Sequence, residues 1–240
     1  MSKKSDLPKR GPIDKIGDRC AAFARRPWFR ILTMSVATVL VVMLIFFSAG
    51  WLFKDQTSFT VSIGTDKGAK GLISLSENED FSSPTVRLDA GGLKSITNIS
   101  VVDLPEKLES DGGVHNGANY LAYTFYLKNS GEAAADIRSD LDITSALKGA
   151  DEAIRVRVYR NGIDTTYAKI AKDGNPEEGT TPFVDATKAF STVEENVQPN
   201  EIIKYTFVVW LEGNDPECDD DIKGGNVKMS LTFSVDDAET

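Results

Sequence analysis

One histidine and two cysteines occur among 240 residues, and that scarcity removes most catalytic chemistry at the outset. A zinc hydrolase needs several nitrogen, sulfur or carboxylate ligands around an open coordination position, commonly with two histidines on one helix. His115 stands alone in Asp111-Gly112-Gly113-Val114-His115-Asn116-Gly117, which reads as an exposed loop, and no HExxH is present. A Ser-His-Asp triad would have to use that same histidine, with no GxSxG turn to present a serine. Cys218 is a poor nucleophile, because its acidic neighbours oppose thiolate formation. Glycoside hydrolysis needs only two carboxylates, but no pair stands out. The chain is therefore not expected to be an enzyme. Cys20 and Cys218 fall on opposite sides of an apparent membrane span, so one chain cannot join them and the fold is not stapled by a disulfide.

Charge is missing altogether from residues 31–53, ILTMSVATVLVVMLIFFSAGWLF, bounded by Arg30 and Lys54. A helix of that length covers ~35 Å, enough for a hydrocarbon core of ~30 Å. Nine Lys and Arg against three Asp precede the run, so of the chain's 27 basic and 36 acidic residues, 18 and 33 lie beyond it. The positive-inside bias places residues 1–30 in the cytoplasm and the bulk of the chain outside, with Trp28 and Trp51 at the two interfaces. The expectation is a single-pass protein of the plasma membrane: a basic tail (1–30), a transmembrane helix (31–53) and an extracellular domain (54–240). A cleaved signal peptide competes with this reading, since Ser48 and Gly50 are small residues two apart. The apolar run is longer than the usual ~7–15 residues of a signal h-region. Residues 13–30 either set topology as a basic tail or lie along an anionic leaflet as a short amphipathic helix.

The excess of acid outside excludes charge-driven binding of nucleic acid. It suits solubility, a basic partner or divalent cations. The densest acidic stretch is Asp215-Pro216-Glu217-Cys218-Asp219-Asp220-Asp221, where Asp215, Glu217, Asp219, Asp220 and Asp221 offer the hard oxygen ligands that calcium takes. It is not an EF-hand loop, and a solvated connection between strands explains it equally well. Residues 76–80 (SENED) form a weaker candidate of the same kind.

Beyond the span the pattern is that of an all-β domain. Two-residue alternation recurs at 58–63, 71–76, 85–88, 95–102, 120–128, 135–143, 154–159, 167–171, 202–211 and 227–235. Residues 120–128 are apolar on both faces and read as a central strand, whereas 227–235 has one wet face. Asn161-Gly162 marks a tight hairpin. Short helical pieces are expected at 145–153 and 187–191, and Trp210 reads as a core residue. Eight to ten strands without a linker indicate one β-sandwich or jelly roll.

Residues 120–131 (YLAYTFYLKNSG), 198–213 (QPNEIIKYTFVVWLEG), 214–225 (NDPECDDDIKGG) and 226–235 (NVKMSLTFSV) together resemble the TasA/camelysin-type surface and biofilm-matrix proteins of Gram-positive bacteria. The resemblance covers roughly the C-terminal half. It implies a jelly-roll-like β-sandwich at the cell surface and, for TasA-type members, assembly into extracellular fibres. Camelysin-type members have been described as metallopeptidases, which the single histidine opposes. The expected role is structural, adhesive or matrix-associated, with the lipid bilayer, other surface proteins or further copies as partners. A calcium-dependent binding module, or a fibre subunit released by cleavage, are the alternatives. The segments expected to act are the first strand, Thr57–Ile63, and the last, 227–235, each taken as a sheet edge.

Overall fold

The computed structural model describes residues 27–52, 57–64, 71–93 and 97–235, with side chains in the first segment described at residues 31, 32 and 34–45. The tail before residue 27, including Cys20, lies outside the described residues. The chain divides into two compact units, Met1–Lys54 and Asp55–Thr240.

In the first unit, helix α1 spans Pro27–Leu52, 26 residues or about 39 Å at the usual rise. Nothing charged interrupts it after Arg30. Ser35 and Thr38 return their hydroxyl hydrogens to the carbonyls of Ile31 and Met34 at 2.9 Å, so neither leaves an unmet polar group on the helix surface. Its described apolar side chains are exposed, Ile31, Met34 and Leu44 by about two-thirds. Among the described residues, no helix is long and apolar enough to cross a membrane.

The second unit is two β-sheets packed face to face. One carries five strands in the order β10-β6-β12-β1-β3, the other has the order β2-β5-β11-β7-β8-β9 with β4 alongside β5. These are β1 (Thr57–Ile63), β2 (Ile73–Ser76), β3 (Arg87–Leu93), β4 (Gly113–Val114), β5 (Tyr120–Asn129) and β6 (Ala135–Leu147). They are followed by β7 (Ile154–Arg160), β8 (Ile163–Ala168), β9 (Thr181–Pro182), β10 (Lys188–Val197), β11 (Ile202–Leu211) and β12 (Asn226–Val235). Alternation puts Phe59, Val61, Leu231 and Phe233 of the first sheet against Phe125, Tyr205 and Phe207 of the second, all at or near zero exposure. The rings interlock: Phe59 lies 4.8 Å from Phe207, and Phe125 meets Phe233 edge-on at 6.1 Å. Such pairs contribute ~0.5–1.5 kcal/mol each beyond the area they bury.

The expectation of a β-rich sandwich is met, and β5 is central, as its two apolar faces require. The Asn161-Gly162 hairpin also forms, with Arg160 opposite Ile163 and positive φ at both turn residues, 49° and 85°. Other expectations fail. Residues 145–147 finish β6 rather than starting a helix, and Lys148 and Gly149 turn the chain with φ of 57° and 68°. Of the piece expected as helix at 187–191, residues 188–191 open strand β10. Residues 97–102 form no strand beyond a single bridge from Ile99 to Glu212, and Val101–Asp103 is a 3-10 turn. Most consequential, neither β1 nor β12 is an edge. β1 pairs with β12 in parallel and with β3 antiparallel, while β12 also pairs with β6. In the first sheet the edges are β10 and β3.

Candidate functional site

Strand β7 reads Ile-Arg-Val-Arg-Val-Tyr-Arg, so period two sends Val156 and Val158 into the core and Arg155 and Arg157 to the outer face of the second sheet. Opposite Arg155 on β11 lies Trp210, and opposite Arg157 lies Val208. That face is not bare. Leu108 packs on Ala122, Val208 and Trp210, with Ile99, Leu104, Tyr120 and Tyr159 around them. Trp210 is 1% exposed, a core residue as expected, though of this smaller outer cluster rather than of the main core.

Beside the cluster a cleft of about 420 Å³ opens, with Arg155, Arg157, Glu177, Glu178, Glu212 and Asp215 among its walls. Arg155 is one of these lining residues. Nη2 lies 2.8 Å from Glu177 Oε2 and 2.7 Å from Asp215 Oδ2, with the Asp215 side chain fully buried. The Asp215 contact is an ion pair without hydrogen-bond alignment, because Oδ2 accepts no hydrogen bond. Asp215 Oδ1 accepts from the Glu217 amide at 2.7 Å. Glu212 is fully engaged: Oε2 accepts from Trp210 Nε1 at 2.9 Å and from the Val101 amide at 3.0 Å, and Oε1 from the Asn214 amide at 3.1 Å. Arg157 lies over the Trp210 ring at 5.3 Å, donates to Thr166 Oγ1 at 3.0 Å and pairs with Asp164 at 3.6 Å.

Glu177, like Asp215, keeps one oxygen outside the hydrogen-bond network. Its Oε1 is buried and has no hydrogen-bond partner. Burial pushes its carboxyl above the ordinary glutamate range; Arg155 pulls the other way, and Asp215, Glu217 and Asp173 push it further up.

The five acidic residues expected to bind calcium do not act together. Asp215 and Glu217 join Glu177, from a distant part of the chain, with one ligand oxygen of each within 4.8 Å of the others. Asp219, Asp220 and Asp221 lie on the exposed side. Asp219 caps a 3-10 turn by accepting from the Asp221 amide at 2.9 Å, and Asp220 pairs with Lys223 at 2.7 Å. Glu77 and Asp80 of the 76–80 stretch are likewise engaged in hydrogen bonds, to Tyr123 and to the Ser82 amide.

Cys218 is half-buried against the core, and burial pushes its thiol up while a hydrogen bond to Asn98 lowers it and Asp215, Glu212 and Asp219 raise it. His115 is half-buried rather than exposed: its ring nitrogen Nδ1 lies 2.9 Å from the Gly113 carbonyl. Sequence alone does not single out Glu177, since its role depends on reaching Arg155 across the fold.

No family model and no curated protein matches this chain. Among solved structures, a β-glucosidase from Kluyveromyces marxianus aligns at 13% identity and a TM-score of 0.26, over 78% of this chain and 20% of the enzyme. The same enzyme in complex with glucose aligns at 14% and 0.24, over 74% of this chain and 18% of the enzyme. The chain thus spans about a fifth of that enzyme's length, and the likeness carries no inference about fold or activity.

Proposed function

We propose that this chain is a membrane-anchored, cell-surface β-sandwich with a structural, adhesive or matrix-associated role exercised through protein–protein contacts. The observation that carries the reading is helix α1, 26 residues with exposed apolar side chains and no charge after Arg30, immediately ahead of a separately compact sandwich. A helix apolar on every side needs an apolar surround, and a bilayer supplies one. The basic flank orients it with the sandwich outside. On the sandwich, strand β10 supplies ten residues of sheet edge, bulged near both ends and carrying Glu194 and Glu195. Charges and bulges on an edge restrain indiscriminate pairing while leaving room for a chosen partner.

The test is the mass and N-terminus of the protein recovered from cells, with membrane and medium separated. An intact chain that resists alkaline extraction from the membrane agrees with the anchored module. A chain beginning near Trp51 and recovered from the medium would replace it with a secreted subunit, of the fibre-forming kind.

A calcium-dependent module is the second reading, favoured by the Glu177, Asp215 and Glu217 oxygens gathered within 4.8 Å. A rise in melting temperature with micromolar calcium, lost on Glu217→Gln, would support it.

A further inference from the structure

The pair Asn-Gly occurs twice, at Asn116-Gly117 and Asn161-Gly162, and the fold treats the two differently. The asparagine side chains are held alike: Asn116 Oδ1 accepts from the Ala122 amide at 2.8 Å, and Asn161 Oδ1 from the Lys204 amide at 2.9 Å. The glycines differ. The Gly117 amide donates to the Tyr120 carbonyl at 3.0 Å, and the Tyr120 ring lies so close that a Cβ at Gly117 would overlap it. Gly162 sits at the tip of the β7–β8 hairpin, where residues 161–163 are exposed and a Cβ would meet nothing within 4 Å. Among the described residues, nothing accepts a hydrogen bond from its amide. A two-residue turn leaves that group over, because only the flanking residues, here Arg160 and Ile163, pair with each other.

We propose that Asn161-Gly162 is a site of spontaneous modification on the folded protein, converting to isoaspartate and aspartate, and that the fold protects Asn116-Gly117. The chemistry needs only water and hydroxide. Hydroxide takes the Gly162 amide proton, and the nitrogen attacks Asn161 Cγ. The N–Cγ bond forms and the Cγ–Nδ2 bond breaks. Nδ2 leaves as ammonia, taking its third hydrogen from water and so regenerating hydroxide, and a five-membered succinimide remains. Water then opens the ring at either carbonyl. Breaking the new N–Cγ bond gives aspartate, and breaking the original main-chain bond gives isoaspartate. No oxidant or reductant enters.

Ring closure requires the asparagine to swing out of its resting conformation, and the two sites differ in what that disturbs. A hairpin tip opens locally without global unfolding. Residues 115–117, by contrast, are stitched to the central strand β5 by the His115 and Gly117 amides, which donate to Ala122 and Tyr120 at 3.0 Å each, and by the Ala122 amide on Asn116. To react, Gly117 must also give up its acceptor and admit a base past the Tyr120 ring. Isoaspartate then routes the main chain through the former side chain and adds one backbone atom. A turn with positive φ at both residues has no place for it. The Arg160–Ile163 pairing and the two Asn161–Lys204 hydrogen bonds, both 2.9 Å, would be lost together. The inference rests on the hairpin alone, so its failure leaves the anchored-module reading untouched.

The experiment incubates the full chain in detergent at mildly alkaline pH and physiological temperature, and follows both sites by peptide mapping with mass spectrometry that separates isoaspartate from aspartate. A parallel sample is held unfolded in guanidinium chloride. Isoaspartate is expected at position 161 several-fold faster than at 116 in the folded chain, with the two rates drawing level in the unfolded one. Asn161→Gly keeps a turn residue that accepts positive φ and should abolish the fast release of ammonia. Conversion at 116 that keeps pace with 161 in the folded chain would overturn the proposal. So would a folded chain whose position 161 stays unchanged while the unfolded chain converts, a gap between the sites that persists in denaturant, or ammonia release unaltered by Asn161→Gly.

Discussion

Arg155 and Glu177 decide how the outer face of the second sheet behaves. The Arg155 side chain is 5% exposed and touches two carboxylates, one of them fully buried. Removing one member of such a group strands the charge of the others, which costs about 3–5 kcal/mol, whereas an apolar replacement of the whole set need not destabilise. Arg155→Met should therefore lower stability by about 3–5 kcal/mol in denaturant titration, and combining it with Asp215→Asn should restore a measurable part of the loss. Glu177 carries a second prediction. Its carboxyl holds a proton to higher pH in the folded chain than the ordinary 4.5, so the folded state binds more protons than the unfolded state just above that pH. Stability from this group is complete below about pH 4.5 and declines as pH rises through the raised value. Asp80, Asp173, Asp185 and Asp220 are shifted downward by hydrogen bonds or by Lys223, and act in the opposite sense below the ordinary 3.8. Stability measured from pH 4 to 7 should fall less steeply in Glu177→Gln than in the natural chain. Identical slopes would mean that Glu177 is not the group responsible.

At the scale of elements, strands with a strict alternation were legible and those that depend on partners were not. β12 could be read from Val227, Met229, Leu231, Phe233 and Val235, and β5 from apolar residues on both faces. β10 was missed because Glu194, Glu195 and Asn196 interrupt its alternation, and its register shifts twice against β6. Edge position was illegible for a different reason: it depends on which strand comes back to pair, and β1 is enclosed by β12 from the far end of the chain and by β3. The cleft was half legible, since Asp215 and Glu217 stand in an evident acidic run, but Glu177 joins them only through Arg155. Because Phe59 is fully buried between the sheets, Phe59→Ala should cost about 3–5 kcal/mol, read by denaturant titration. A loss under about 1 kcal/mol, the range of surface substitutions, would contradict that burial. In the β7–β8 hairpin, Gly162 has φ of 85°, so Gly162→Ala should destabilise by about 1 kcal/mol or more, read as a shift in denaturation midpoint.

For the whole molecule, the proposed anchoring gives the two units different solvents: lipid for α1, water for the sandwich. The sandwich has its own aromatic core, and the helix has no charge after Arg30 to hold it in water. What joins them is placement. An anchor with a basic inner flank presents the acidic sandwich, its β10 edge and its cleft to whatever lies outside the membrane. The direct test is proteolysis of intact cells making the chain with an N-terminal tag, reading the mass of the tagged fragment left in the membrane. Anchored display predicts that protease added outside removes the sandwich and leaves a protected fragment of the tail and α1. A full-length chain protected until the cells are lysed, or a sandwich already free in the medium without protease, would contradict it.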